Sequence, residues 1–314
     1  MNVVDTPKYD ELKKFTQDKL AAIRERLSPH CVDSFTVVAC GSFARNEASL
    51  ESDIDFNIVY DGSKTTSSFE EVRHIIDGVL EDEVKYKPSK DGAFNELYDI
   101  NNMVDNIGGN DDDNKNITSR ILYLLECTWL VNEKLFKEFR KRIIDKYVTG
   151  KITDHQLCRF LLNDVIRYYR TMCVDFEYKT SSQGKDWGVR NIKLLFSRKL
   201  IYFSTILVIA ETAQRAYREK IEILEEHLYI TPLERIEKIC GDNSDIAITM
   251  YENFLSVISD KELREYLKNI TSDDRSDPEF RKIKNEGHNF TWQLSNLLKK
   301  TFPASHPIHD ALIL

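Results

Sequence analysis

Two aspartates one residue apart, Asp53 and Asp55, open the β-rich run Asp55-Phe-Asn-Ile-Val-Tyr60. Side chains alternate along a strand, so both carboxylates point to one face while Ile54 and Phe56 point to the other. Carboxylates held side by side repel each other, and one pKa rises unless a cation neutralises them. Mg²⁺, which takes carboxylates and substrate phosphates together, suits such a pair, with Mn²⁺ as its substitute. Upstream, Gly41-Ser42 ends a second β-rich run, Phe35-Thr-Val-Val-Ala-Cys40. Glycine lets backbone approach a phosphate closely, and exposed N–H groups together with the Ser42 hydroxyl can donate to it. A phosphate cradle beside a metal clamp is equipment for moving a nucleotidyl group from a triphosphate.

The full string Gly41-Ser-Phe-Ala-Arg-Asn-Glu-Ala-Ser-Leu-Glu-Ser-Asp-Ile-Asp-Phe56 resembles the signature of the DNA-polymerase-β-like nucleotidyltransferase superfamily. It looks most similar to the bacterial branch that includes PII-protein uridylyltransferases and related predicted nucleotidyltransferases. That branch usually carries glycine after the arginine, where this chain has Asn46. The detailed resemblance covers about residues 36–60, with a fainter echo in Ile117-Thr-Ser-Arg-Ile-Leu-Tyr-Leu-Leu-Glu126. It implies Asp53 and Asp55 as metal ligands and catalytic residues, and Gly41 and Ser42 as phosphate ligands. Arg45 is expected either to contact phosphate or to brace the turn. The superfamily usually adds a third carboxylate on a later strand. Asp99, in Glu96-Leu-Tyr-Asp-Ile100, is the expected third acid, with Asp105 and Asp111 to Asp113 as alternatives. The acid run 111–113 reads as a solvated loop tip, since its neighbours lack Ca²⁺-loop spacing.

The elements that must hold these residues form an α+β fold. Residues 8–28 repeat apolar positions at helical spacing. Ser68-Phe-Glu-Glu71 has the form of a capping box before a helix through Leu80. Val84 and Tyr86 alternate with Lys85 and Lys87, which suggests an edge strand before Pro88. One more strand fits within 94–105, and 107–116 reads as a mobile loop. From Ile117 the pattern is helical: 117–131, 133–148, 153–178 behind a Thr153/Gln156 capping box, 188–220, and shorter helices to about 299. A catalytic domain with a small mixed sheet is expected over 1–116, its boundary extending at most to about 150, followed by an all-helical domain over 117–314.

The helical part offers cations. Arg190 and Lys193, three apart on one face, with Arg198 and Lys199 beyond them, suit a triphosphate as well as they suit a solvated helix face. In similar enzymes the helical domain supplies such residues. Arg167, Tyr168, Tyr169 and Arg170 form a second patch, better read as core aromatics with flanking surface arginines.

The 314 residues are 41% hydrophobic and 31% charged, with a net charge of −8. That balance suits two globular domains and argues against a large nucleic-acid substrate. None of the 6 cysteines forms a C-x-x-C pair, and the 7 histidines are scattered without metal spacing. No P-loop or dinucleotide-binding fingerprint occurs. Without a signal-like start or an apolar run long enough to span a bilayer, a cytoplasmic protein without membrane contact is expected. The expected activity is Mg²⁺-dependent transfer of a nucleoside monophosphate from an NTP or dNTP, ATP among them, with pyrophosphate release. The acceptor is a partner protein or a nucleotide or oligonucleotide. Two other readings stand beside it: a synthase of a nucleotide signal or short oligonucleotide in a defence system, and an inactive nucleotide-sensing or antitoxin-like subunit of a larger complex.

Overall fold

The computed structural model describes residues 5–30, 34–63, 69–86, 95–182 and 186–313. Ser68 of the expected capping box, Cys31, and the Lys87-Pro88 end of the expected edge strand lie outside the described residues. The chain divides into two compact units, Tyr9–Thr149 and Gly150–Leu314 with Met1–Lys8.

The first unit is built from α1 (Pro7–Leu27), β1 (Phe35–Cys40), β2 (Phe56–Tyr60), α2 (Glu70–Glu83), β3 (Leu97–Asp99), α3 (Ile100–Asp105), α4 (Asn114–Leu125), β4 (Cys127–Val131) and α5 (Glu133–Tyr147). The strands form one sheet in the order β3-β2-β1-β4. β1 runs antiparallel to both β2 and β4, while β3 runs parallel to β2, so the sheet is mixed. Alternation decides what each face does. Phe35, Val37 and Ala39 of β1 and Ile54, Phe56 and Ile58 around β2 turn into one core with Leu20, Ile23 and Leu27 of α1 and Ile76, Val79 and Leu80 of α2. The intervening residues, Cys40, Asp53, Asp55 and Asn57 among them, face the other way.

Where helix alone was expected, over 117–131, a strand interrupts. Helix α4 ends at Leu125, and Cys127-Thr-Trp-Leu-Val131 joins the edge of β1. Thr128, Trp129 and Val131 are β-formers, and tertiary pairing overrides the helical period that Ile117 to Leu125 sets up. This strand also ties α4 and α5 to the sheet, and the first unit runs on to Thr149, near the outer limit of about 150 allowed for the boundary. The expected edge strand at 84–86 is reduced to a single parallel bridge between Asp53 and Tyr86. The segment 94–105 splits into the short β3 and α3.

The second unit contains α6 (Arg159–Ser181), α7 (Trp187–Lys193), a π-helical turn at Leu194–Arg198, α8 (Lys199–Glu211), α9 (Tyr217–Tyr229), α10 (Pro232–Cys240), α11 (Asp245–Ser259), α12 (Lys261–Asn269), α13 (Pro278–Thr301) and α14 (Pro307–Ala311). Helix α8 is buried from Leu200 to Ala210 except at Tyr202, as expected of a helix apolar on every side and enclosed by neighbours. The first helix begins at Arg159, not at Thr153. The Thr153 N–H does bond the Gln156 side chain at 3.1 Å, but that contact closes a turn before the helix. No helix among the described residues is long and apolar enough to cross a membrane.

Candidate active site

β1 delivers its last residue beside the acid pair. Ala39 pairs with Phe56, and the Cys40 N–H donates to the Asp55 carbonyl at 2.8 Å. The chain then turns at Gly41, whose φ of +69° is open to glycine and costly for other residues. Arg45 N–H donates to the Gly41 carbonyl at 3.2 Å and Glu47 N–H to the Ser42 carbonyl at 2.9 Å, so residues 41–47 form about one helical turn. The first amides of such a turn have no acceptor within it and face outward from its start. Phe43 is buried and anchors the turn in the core, while Gly41 and Ser42 stay partly exposed. Gly41, Ser42, Asp53 and Asp55 are thus brought to one end of the β1–β2 pair, with the two carboxylates on the face away from Ile54 and Phe56.

Asn46, where the resembling branch has glycine, has φ +59°. Asparagine is the side chain that best tolerates this left-handed conformation after glycine, so the exchange keeps the turn.

Arg45 turns inward. Its guanidinium is 6% exposed, donates from Nε to Glu47 at 2.7 Å, and pairs through Nη1 with Glu126. Glu126 lies between α4 and β4 with its carboxylate fully buried. Of the two roles open to Arg45, the geometry is that of a brace: two carboxylates clamp it beneath the turn.

Asp99 does not join Asp53 and Asp55. It pairs with Tyr60 at the far end of β2, five residues from Asp55, which is roughly 16 Å along a strand. Its register places it on the Phe56–Ile58–Tyr60 face, opposite to the acid pair. Its carboxylate caps α3 through Asn101 N–H at 3.0 Å and takes Gly62 N–H at 3.1 Å. The apolar neighbours of Asp99 fit a strand in either parity and do not say which face it takes. Glu96 has the right parity and the right end: its N–H donates to the Asn57 side chain at 3.2 Å, and its carboxylate meets Lys115 at 3.2 Å. Glu96 and buried Tyr98 are two apart in Glu96-Leu-Tyr98, and that alternation was the available signal. Asp105 pairs instead with Lys146 at 3.2 Å. The 111–113 run is exposed at Asp111 and Asp113 but not at Asp112. Asp112 is buried against Arg120 at 3.0 Å, and Asp113 caps α4 through Asn116 N–H at 2.7 Å.

Charge around the site is graded. Burial pushes the Cys40 thiol well up, with Cys127 and the charges of Asp55 and Glu126 adding to it. Tyr98 is raised by burial first and then by Glu96, Cys40 and Cys127. At the other end of β2, burial works against the Asp61 carboxylate. Donation from Ser63 and Asn101 and the nearby Arg142, at 3.3 Å, nevertheless hold it well below the usual range.

Among the described residues no three His, Cys, Asp or Glu side chains stand close enough to hold a metal ion by themselves. A paired carboxylate donor set still fits Mg²⁺, which binds through one or two carboxylates and completes its shell with water and phosphate oxygens. In the helical unit, Arg190 and Lys193 sit half-buried on α7, and Gly188 on the same helix donates its N–H to the Ile270 carbonyl at 3.2 Å. A Cβ on Gly188 would lie 2.3 Å from the Leu267 carbonyl, so α7 is pressed against the end of α12. Tyr168 is buried and Tyr169 stacks on Tyr202 at 4.5 Å, while Arg167 is exposed and pairs with Asp164, in keeping with core aromatics flanked by surface arginines.

Comparison with known proteins adds one match. Residues 17–164 fit the family model described as a nucleotidyltransferase domain, which spans β1 to β4 and both acids. No curated protein matches the chain.

Proposed function

We propose, from the premise that residues 17–164 are a nucleotidyltransferase domain of the polymerase-β-like superfamily, that the chain transfers a nucleoside monophosphate from an NTP or dNTP to an acceptor and releases pyrophosphate. The observation that carries the reading is the hydrogen bond from Cys40 to Asp55, which fixes the start of the Gly41 turn next to the acid pair. Asp53 and Asp55 would hold Mg²⁺ or Mn²⁺, which when bound would neutralise charge on the triphosphate and lower the pKa of the attacking hydroxyl. The amides at the start of the turn and the Ser42 hydroxyl orient the phosphates, and the Arg45–Glu47–Glu126 cluster keeps that turn from shifting. Glu96, in place of Asp99, is assigned as the third carboxylate that accepts the acceptor's proton or supports the metal. On sequence grounds alone, Arg190 and Lys193 are assigned to nucleotide phosphates.

The acceptor is read as a partner protein, since the net charge of −8 does not favour a long polyanion. Incubation with each labelled NTP and dNTP and Mg²⁺, with and without cell extract, tests this. Label on protein supports the reading, and label in a short oligomer or small product points to nucleotide-signal synthesis. Thermal stabilisation by nucleotide without pyrophosphate release would instead mark a sensing subunit and end the enzymatic reading.

A further inference from the structure

Cys40 and Cys127 are direct partners across β1 and β4, and their Sγ atoms lie 3.3 Å apart. The Cys40 N–H points toward β2, where it bonds Asp55. The backbone N–H and C=O of one strand residue point to the same side, so on the β4 side Cys40 and Cys127 form a non-hydrogen-bonded pair, the class in which opposite Cα atoms come closest, about 4.5 Å. That separation falls within the range a disulfide spans. Cys40 is 1% exposed, whereas Cys127 is partly exposed. The backbone on either side of this pair belongs to the site: Gly41 follows Cys40, and Glu126, which clamps Arg45, precedes Cys127.

We propose that Cys40 and Cys127 are a reversible thiol–disulfide couple whose oxidation changes the nucleotide site. The inference rests on the nucleotidyltransferase reading for its consequence but not for its chemistry. A hydroperoxide is the oxidant. Cys127 sulfur attacks its terminal oxygen, the O–O bond breaks, an alcohol or water leaves, and Cys127 becomes a sulfenic acid. Cys40 sulfur then attacks the Cys127 sulfur. The S–S bond forms, the S–O bond breaks, and the departing hydroxide takes the Cys40 proton as water. Two thiols are oxidised and one peroxide is reduced. Closing the bond draws the two sulfurs together from 3.3 Å and shifts the strand ends that carry Gly41 and Glu126.

The full-length protein is treated with graded hydrogen peroxide, quenched with an alkylating agent, digested and mapped by mass. The expected product is a Cys40–Cys127 cross-linked peptide pair lighter by two hydrogens, reversed by dithiothreitol and absent from Cys127→Ser. Pyrophosphate release and nucleotide-induced thermal shift are measured on the same samples. Both are expected to fall several-fold on oxidation, to recover on reduction, and to resist peroxide in Cys127→Ser. If alkylation finds both thiols free while other cysteines oxidise, the couple does not exist. A cross-link that leaves nucleotide binding and transfer unchanged overturns its coupling to the site. Should the reduced protein show no transfer at all, the mass readout still decides the couple, and that result counts against the enzymatic reading alone.

Discussion

At the scale of single residues, the two acids carry the heaviest expectation. On the proposed reading Asp53→Asn and Asp55→Asn each remove a metal ligand worth several kcal/mol in the transition state, so transfer is expected to fall on the order of 10²–10³-fold with the circular dichroism spectrum unchanged. A chelator is expected to stop the wild-type reaction, and Mg²⁺ or Mn²⁺ to restore it. Glu96 and Asp99 separate cleanly. Glu96→Gln is expected to lower kcat with little change in urea midpoint. Asp99→Ala loses a helix cap and is expected to cost about 1 kcal/mol of stability while kcat holds. A large kcat loss in Asp99→Ala with unchanged stability would reverse that assignment. Type, spacing and strand alternation agree on Asp53, Asp55, Gly41 and Ser42, which is why the sequence alone singles them out. Only the register with β2 sets Asp99 apart from the acid pair, because apolar flanks announce a strand without saying which face or which end a carboxylate occupies. Arg45 could be narrowed only to phosphate or brace, since its partner Glu126 lies 81 residues away.

At the scale of elements, the Gly41–Glu47 turn depends on a buried cluster of one cation and two anions. Arg45→Met leaves two buried carboxylates without their cation and is expected to cost about 3–5 kcal/mol in denaturant unfolding, whereas Glu126→Gln keeps the Arg45–Glu47 pair and is expected to cost less, about 1–3 kcal/mol. Asn46 gives a gentler test of the same turn. With φ +59°, Asn46→Gly is expected to change stability by only a few tenths of a kcal/mol, and Asn46→Val to cost about 1–2 kcal/mol. Strands β1 and β2 were visible as β-rich runs closed by glycine or by Asp61-Gly62. Strand β4 was hidden, because five residues between two helices show no period of their own and only the open edge of β1 selects them. The sheet's far end answers to pH. The folded-state pKa of Asp61 is depressed, so its contribution is present above the unfolded carboxylate value of about 3.9 and is lost as pH falls toward the folded value. Asp61→Asn is therefore expected to flatten the acid limb of a stability–pH curve below about pH 4; an unchanged limb would remove Asp61 from the account.

At the scale of the whole molecule, composition and the helical pattern from Ile117 onward lead to an expectation of two globular domains, and the chain divides into two compact units. The boundary is harder to read, because α4 and α5 look like members of a helical domain until β4 ties them to the sheet. Arg190 and Lys193 supply the test that reaches beyond the first unit. Their alanine variants are expected to raise KM for the nucleotide more than they lower kcat, as loss of ground-state phosphate binding does. The distance in sequence between Arg45 and Glu126 also sets an order of events during biosynthesis. While a ribosome is still making α4, the nascent chain already has Gly41, Ser42 and both aspartates, yet the guanidinium under the turn has only Glu47 to meet and β1 has an open edge. On the proposed reading the nucleotide site is therefore completed late, when the last strand of the sheet clears the exit tunnel, and a chain cut short before Glu126 is expected to carry Gly41, Ser42 and both aspartates without the clamp beneath their turn.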